Sequence, residues 1–165
     1  MATPTTLPAA FTAGQVLTAA QMNDLRGAFR VLQVVAAQYS TETSSSSSTF
    51  ADTGLTLTIT PTSASSKILA IVNQSGCYKD SNATAMGLRL VRGSTEISYF
   101  EKFGGTNATA AANGFGTCST IILDSPATTS ATTYKTQFKS EQNLSRVLVQ
   151  TGTSNSTIVL MEISA

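Results

Sequence analysis

The sequence predicts an all-β protein, an antiparallel β-sandwich or jelly roll of about eight or nine strands, preceded by a short N-terminal arm and helix. Three observations predict it. Short runs with period-two alternation follow one another through most of the chain; turn residues stand between them; and no helical periodicity interrupts them after residue 36. At 165 residues, one domain with an N-terminal appendage is the economical organisation: residues 1–36 as arm and helix, 37–165 as sandwich.

In chain order, residues 1–15 are rich in Pro, Thr, Ala and Gly, and Pro4 and Pro8 disfavour regular structure, so they read as an extended arm. Thr18 and Gln21 then have the spacing of a capping box, and Leu17 with Met22 fits the hydrophobic staple around it. Met22, Leu25, Phe29 and Leu32 follow at spacings of 3, 4 and 3, the rhythm of a coiled-coil seam. Two heptads are too few to be stable alone. The stripe therefore packs either on its own sandwich or against other copies of itself.

After Leu32 the period moves towards two, through VLQVVAAQYSTET, and the serines 44–48 read as a loop. FADTGLTLTITP places Leu55, Leu57 and Ile59 on one face and threonines on the other, closed by Pro61. SKILAIVNQ is a continuous apolar run, fit for a central strand. MGLRLVRG, TEISYFEKF, GFGTCSTIILD, TTYKTQFKS, RVLVQTG and STIVLMEIS complete the set. Ser75-Gly76, Arg92-Gly93-Ser94, Gly104-Gly105, Ser125-Pro126 and Gly152 are the turn signals, and 103–116 reads as a long loop.

Only 12% of residues are charged, about half the usual share, while Ser and Thr abound; the surface is covered by hydroxyls more than by ions. The ten basic residues are scattered and the net charge is +1, which argues against a nucleic-acid partner. No apolar run approaches the length of a membrane span, and the N-terminus lacks the pattern of a signal peptide, so a soluble protein made in a cytoplasm is expected. Cys77 and Cys118 suit two buried thiols better than a disulfide framework. The sequons at Asn82, Asn107, Asn143 and Asn155 follow from a Ser/Thr/Asn-rich surface.

There is no histidine, which removes the commonest general base and most zinc sites. The cysteines lack metal-knuckle spacing, and the glycine-rich stretch lacks the ending of a phosphate loop, so neither cofactor nor metal is expected. A carboxylate-pair glycosidase is the one enzyme class left open, with Glu96, Glu101, Asp80 and Asp124 as candidates beside Tyr78, Tyr99, Phe100 and Phe103. Solvated acids and core aromatics explain these residues more simply.

GQVLTAAQMNDLR resembles the N-terminal segment of many phage and prophage tail and appendage proteins, in which a VLTAAxxN element opens a helix. DTGLTLTITPTSASSKILAIV, LRLVRGSTEI, LDSPATTSATTYKTQFKS and TIVLMEISA resemble a β-domain of tailed-phage tail-fibre and virion structural proteins. The resemblance implies a non-enzymatic virion protein assembled in the bacterial cytoplasm. It implies a homotrimer with Met22, Leu25, Phe29 and Leu32 on the threefold axis, docked on other virion proteins. Loops 76–87 and 101–115, with Tyr78, Asn82, Phe103 and Asn107, would touch host-surface polysaccharide. A head-decoration protein is the alternative, and a glycan depolymerase a third reading.

Overall fold

The computed structural model describes residues 13–14, 16–19, 21–22, 31–80, 84–105, 112–142 and 144–164. Ten strands run through it: β1 (Val31–Tyr39), β2 (Thr43–Ser45), β3 (Ala51–Ile59), β4 (Lys67–Lys79), β5 (Met86–Arg92), β6 (Thr95–Gly104), β7 (Asn113–Asp124), β8 (Thr132–Ser140), β9 (Val147–Val149) and β10 (Ser156–Ile163). Every ladder is antiparallel, and the pairs nest: β1 with β10, β2 with β9, β3 with β8, β4 with β7 and β5 with β6. The chain is thus one long hairpin rolled up, closed by β4 against β10 and by β5 against β8. The resulting sheets, β1–β10–β4–β7 and β3–β8–β5–β6, are the two layers of a jelly roll, with β2 and β9 extending the first.

Alternation drives the layering. Leu55 and Ile59 of β3, Ile68, Ala70 and Val72 of β4, Leu90 of β5, Tyr134 of β8, and Ile158 and Leu160 of β10 point inwards and form one core cluster. A second cluster joins Cys77, Met86, Leu88, Cys118, Phe138, Val147 and Val149. Between the layers runs a buried polar bridge. Thr136 donates to Gln74 Oε1 at 2.8 Å, which leaves Thr53 as the donor in its 2.5 Å contact with Thr136. Gln74 Nε2 and Gln150 Nε2 both donate to Ser156 Oγ, at 3.0 and 3.1 Å.

Several expectations are corrected. Leu32 lies in β1 and not on a helix, because the ladder to β10 satisfies the backbone from Val31 onwards. A domain boundary at residue 36 would cut that strand; the sandwich begins at Val31. Ser44 and Ser45 are not loop but belong to β2, paired with Leu148 and Val147. Ser75-Gly76 is no turn: both residues lie inside β4 at a register shift, with Gly76 at φ 60° and its missing Cβ 2.5 Å from Thr151 N. The flanks of the expected loops 76–87 and 101–115 are strand: β4 runs to Lys79 and β5 starts at Met86, while β6 runs to Gly104 and β7 starts at Asn113.

Candidate interaction surfaces

The N-terminal signals survive as local geometry. Thr18 N donates to Gln21 Oε1 at 3.0 Å, and Gln21 N donates to Thr18 Oγ1 at 3.2 Å, the reciprocal pair of a capping box. Met22 N donates to Thr18 O at 3.0 Å, a single bond of helical spacing; the expected short helix is not shown among the described residues. Met22 is exposed, as are Val16 and Leu17. Leu25 and Phe29 lie outside the described residues, as do Asn82 and Asn107.

The point where this segment joins the sandwich has a definite place. Val31 opposes Ile163, which opposes Lys67, so the N-terminal segment enters beside the first residue of β4. Lys79, the last residue of β4, opposes Asn113 and Val147. Val147 in turn opposes Ser45, so the strand ends at Ser45, Lys79, Asn113 and Val147 gather at this opposite end. β4 has 13 residues, so the two ends stand about 40 Å apart at roughly 3.3 Å per residue.

Of the expected contact residues at the far end, Phe103 is exposed on β6 with Lys102 Nζ 5.8 Å from its ring centre. Tyr78 is half-buried in β4, opposite Gly114 and Leu148, where its ring sits over Gly114. The far end is tied together from within: Arg146 bridges Asp80 at 2.9 Å, and Thr84 bonds Ser140 Oγ at 2.8 Å and Gln142 O.

The two outward faces of the sandwich differ in chemistry. On the β3–β8–β5–β6 sheet, Arg89 stacks on Phe50 at 3.9 Å and bonds Glu96 at 3.0 Å and Gln137 at 2.9 Å. Lys139 lies 5.0 Å from the Phe50 ring and pairs with Glu141 at 3.2 Å, while Lys135 and Gln137 both bond Asp52. Phe50 and Tyr99 meet edge to face at 5.4 Å. The aromatic faces here are already covered by cations. Sequence reasoning missed this cluster because its members come from four separate strands and two connections between strands.

On the β1–β10–β4–β7 sheet two rows of outward side chains are apolar. Because Ile68, Ala70, Val72, Ile158 and Leu160 are fully buried inwards, their neighbours in sequence face out. The ladders align them across four strands: Val34, Met161, Leu69 and Leu123 form one row, and Ala36, Val159, Ile71 and Ile121 the next. Val34 is 53% exposed, Ile121 68% and Leu123 53%. The row beyond, Gln38, Thr157, Asn73 and Ser119, is polar and uncharged, with Ser119 donating to Asn73 at 2.6 Å.

No protein-family model matches the chain, and no curated protein matches it.

The carboxylates weighed for glycoside chemistry do not converge. Glu96 is paired with Arg89 on the outer face, whereas Glu101 sits near Cys77 and Cys118 on the inner side of the same sheet and accepts from Phe103 N at 3.2 Å. Asp124 accepts from Arg92 at 2.5 Å and from the Tyr134 hydroxyl at 2.6 Å; burial and that carboxylate push the Tyr134 phenol well above its ordinary value. Asp80 is held by Arg146 at the far end. Among the described residues no His/Cys/Asp/Glu group could hold a metal ion, and no helix is long and apolar enough to cross a membrane.

Cys77 and Cys118 are buried free thiols on neighbouring strands. The hydrogen bond between them, reinforced by burial, raises the Cys77 thiol far above its usual value; the same bond lowers that of Cys118 against the effect of burial. Cys77 also contacts Gln74 O at 3.2 Å.

Proposed function

We propose that this chain is a non-enzymatic structural component of a tailed-phage virion: a homotrimeric tail appendage that docks through its N-terminal segment and turns the far end of its jelly roll outwards. The observation that carries the reading is the separation along β4. The N-terminal segment joins at Val31, beside Lys67, and the strand ends Ser45, Lys79, Asn113 and Val147 gather about 40 Å away. Attachment and display thus fall at opposite poles, which a spacer between a particle and a surface requires.

Surface chemistry supports the same reading. On the outer face of β3 and β8 the hydroxyl pair of Thr58 with Thr133, at 2.8 Å, stands beside the Lys135–Asp52 ion pair, so the face is polar with few charges. Jelly rolls serve in capsids and lectins alike, so the fold by itself favours no one role. At the displaying end the hydroxyls of Ser47 and Thr49 stand with the exposed Arg146–Asp80 pair, polar groups that suit host-surface polysaccharide as the contact.

Electron microscopy tests the proposal. Antibody raised against the sandwich should label the tails of phage particles released from cells expressing the gene. Labelling of the head would convert the reading to a decoration protein, and particles without label would overturn it.

A further inference from the structure

We infer that the cleft between the end of β1 and the turn that precedes β10 binds a neutral saccharide, an inference that deepens the display reading and rests on it only for the source of the sugar. The cleft has a volume of about 460 Å³ and is lined by Gln38, Tyr39, Ser40, Thr41, Thr153 and Asn155. That size falls within the range of small-molecule sites. Each lining side chain carries a hydroxyl or an amide, and among the described residues the lining holds no charge at neutral pH. Glu42 follows Thr41 in sequence but does not line the cleft.

Both walls are held from behind. On one side, the bulge at Gly76 in β4 seats the short turn Thr151–Thr153: Thr151 Oγ1 donates to Gly76 O at 3.0 Å, and Thr151 N stands where a Cβ of residue 76 would meet it at 2.5 Å. Ser154 N and Oγ both donate to Thr151 O, at 3.2 and 2.7 Å, and close the turn. Thr153 is thereby kept at φ 62°, a strained backbone for a β-branched residue, beside the cleft. On the other side the Tyr39 ring rests against Gly54, where no Cβ would fit, and packs on the core. A site held in this way loses little freedom on binding.

The amides choose the ligand. Asn155 Nδ2 donates to Gln38 Oε1 at 2.5 Å, which orients both groups and leaves Gln38 Nε2 as a donor and Asn155 Oδ1 as an acceptor. Neighbouring hydroxyls of a sugar ring, each both donor and acceptor, satisfy the two together. An anion would set like against like at Asn155 Oδ1 and finds no cation in the lining, and a cation finds no carboxylate there. The same chemistry continues out of the cleft. Gln38 heads the uncharged row Gln38, Thr157, Asn73 and Ser119, which crosses four strands over roughly 14 Å. Along one side of it stands the apolar row of Ala36, Val159, Ile71 and Ile121, suited to the C–H faces of sugar rings. Lys67, on the same strand as Asn73, is six residues and about 20 Å away. The cleft thus opens onto a track for a chain of sugars.

The test is a titration of the isotope-labelled full chain, followed by its backbone amide signals, with glucose, galactose, mannose, rhamnose and N-acetylglucosamine as separate probes and trialanine as the peptide control. At least one of the sugars should give saturable shifts at residues 38–41 and 153–155, with an affinity in the millimolar range. Gln38→Ala and Asn155→Ala, both at exposed positions, should keep the rest of the spectrum and weaken that binding at least tenfold. No shift at the cleft with any of the sugars, shifts with trialanine alone, or binding that persists unchanged in both variants would overturn the inference. Tail labelling of particles is read independently of these titrations: labelled tails with no sugar shift would leave the appendage reading without this site, and a sugar shift with unlabelled particles would leave the site without that reading.

Discussion

Gln33 Nε2 of the first strand lies 2.6 Å from Glu162 Oε2 of the last. The other oxygen of that carboxylate accepts from Thr62 N and Thr62 Oγ1, each at 2.7 Å, so one buried acid ties β1 and the β3–β4 connection to β10. Burial pushes the Glu162 carboxyl up, but the bonds from Gln33 and Thr62 outweigh it and bring it down to about 2.

A pH dependence follows. The folded value lies below the ordinary 4.5, so this contribution to stability is complete above about pH 4.5 and is lost as the pH falls towards 2. Calorimetric melting of the wild type should drop across that window. Glu162→Gln should flatten the drop and cost about 1.5–3 kcal/mol at pH 7, since it removes charge-assisted bonds and leaves a buried donor unmet.

The polar bridge between the layers gives a second expectation. Gln74→Leu removes the acceptor of the Thr136 hydroxyl, leaving it only Thr53, and removes one donor to Ser156. Urea unfolding should show a loss of about 2 kcal/mol.

Gly54 sits at φ 91°, and a Cβ there would lie 2.2 Å from Tyr39 Cε1. Gly54→Ala should therefore cost more than the roughly 1–3 kcal/mol of the backbone strain itself, because the ring of Tyr39 must leave its place at the end of β1. Thermal melting measures the loss.

Cys77 and Cys118 are 1% and 9% exposed. Native protein should react with an aromatic disulfide reagent much more slowly than denatured protein, with Cys118 labelled first when reaction occurs.

Much of the fold was legible in single segments, because alternation such as Leu55, Leu57 and Ile59 against threonines reports a half-buried strand without reference to its partner. What failed were features decided by distant residues. The spacing of Met22, Leu25 and Phe29 extends to Leu32 in sequence, but the ladder to β10 begins at Val31 and takes Leu32 into a strand. β2 is a serine-rich stretch made into strand by β9 and by Thr43 donating to Thr53 O. Gly76 carries a turn-like signal whose left-handed backbone serves a bulge within β4. The apolar outer face was legible only in part: KILAIV announces two-sided cover, but its alignment with Met161, Val159, Leu123 and Ile121 needs the register.

The central claim, that the N-terminal segment joins copies of a jelly roll into an appendage, is tested most directly by the solution mass of the full chain and of a chain beginning at Val31, which keeps β1 whole. The expected result is three chains for the first and one for the second. A full-length chain with the mass of a single copy would contradict it.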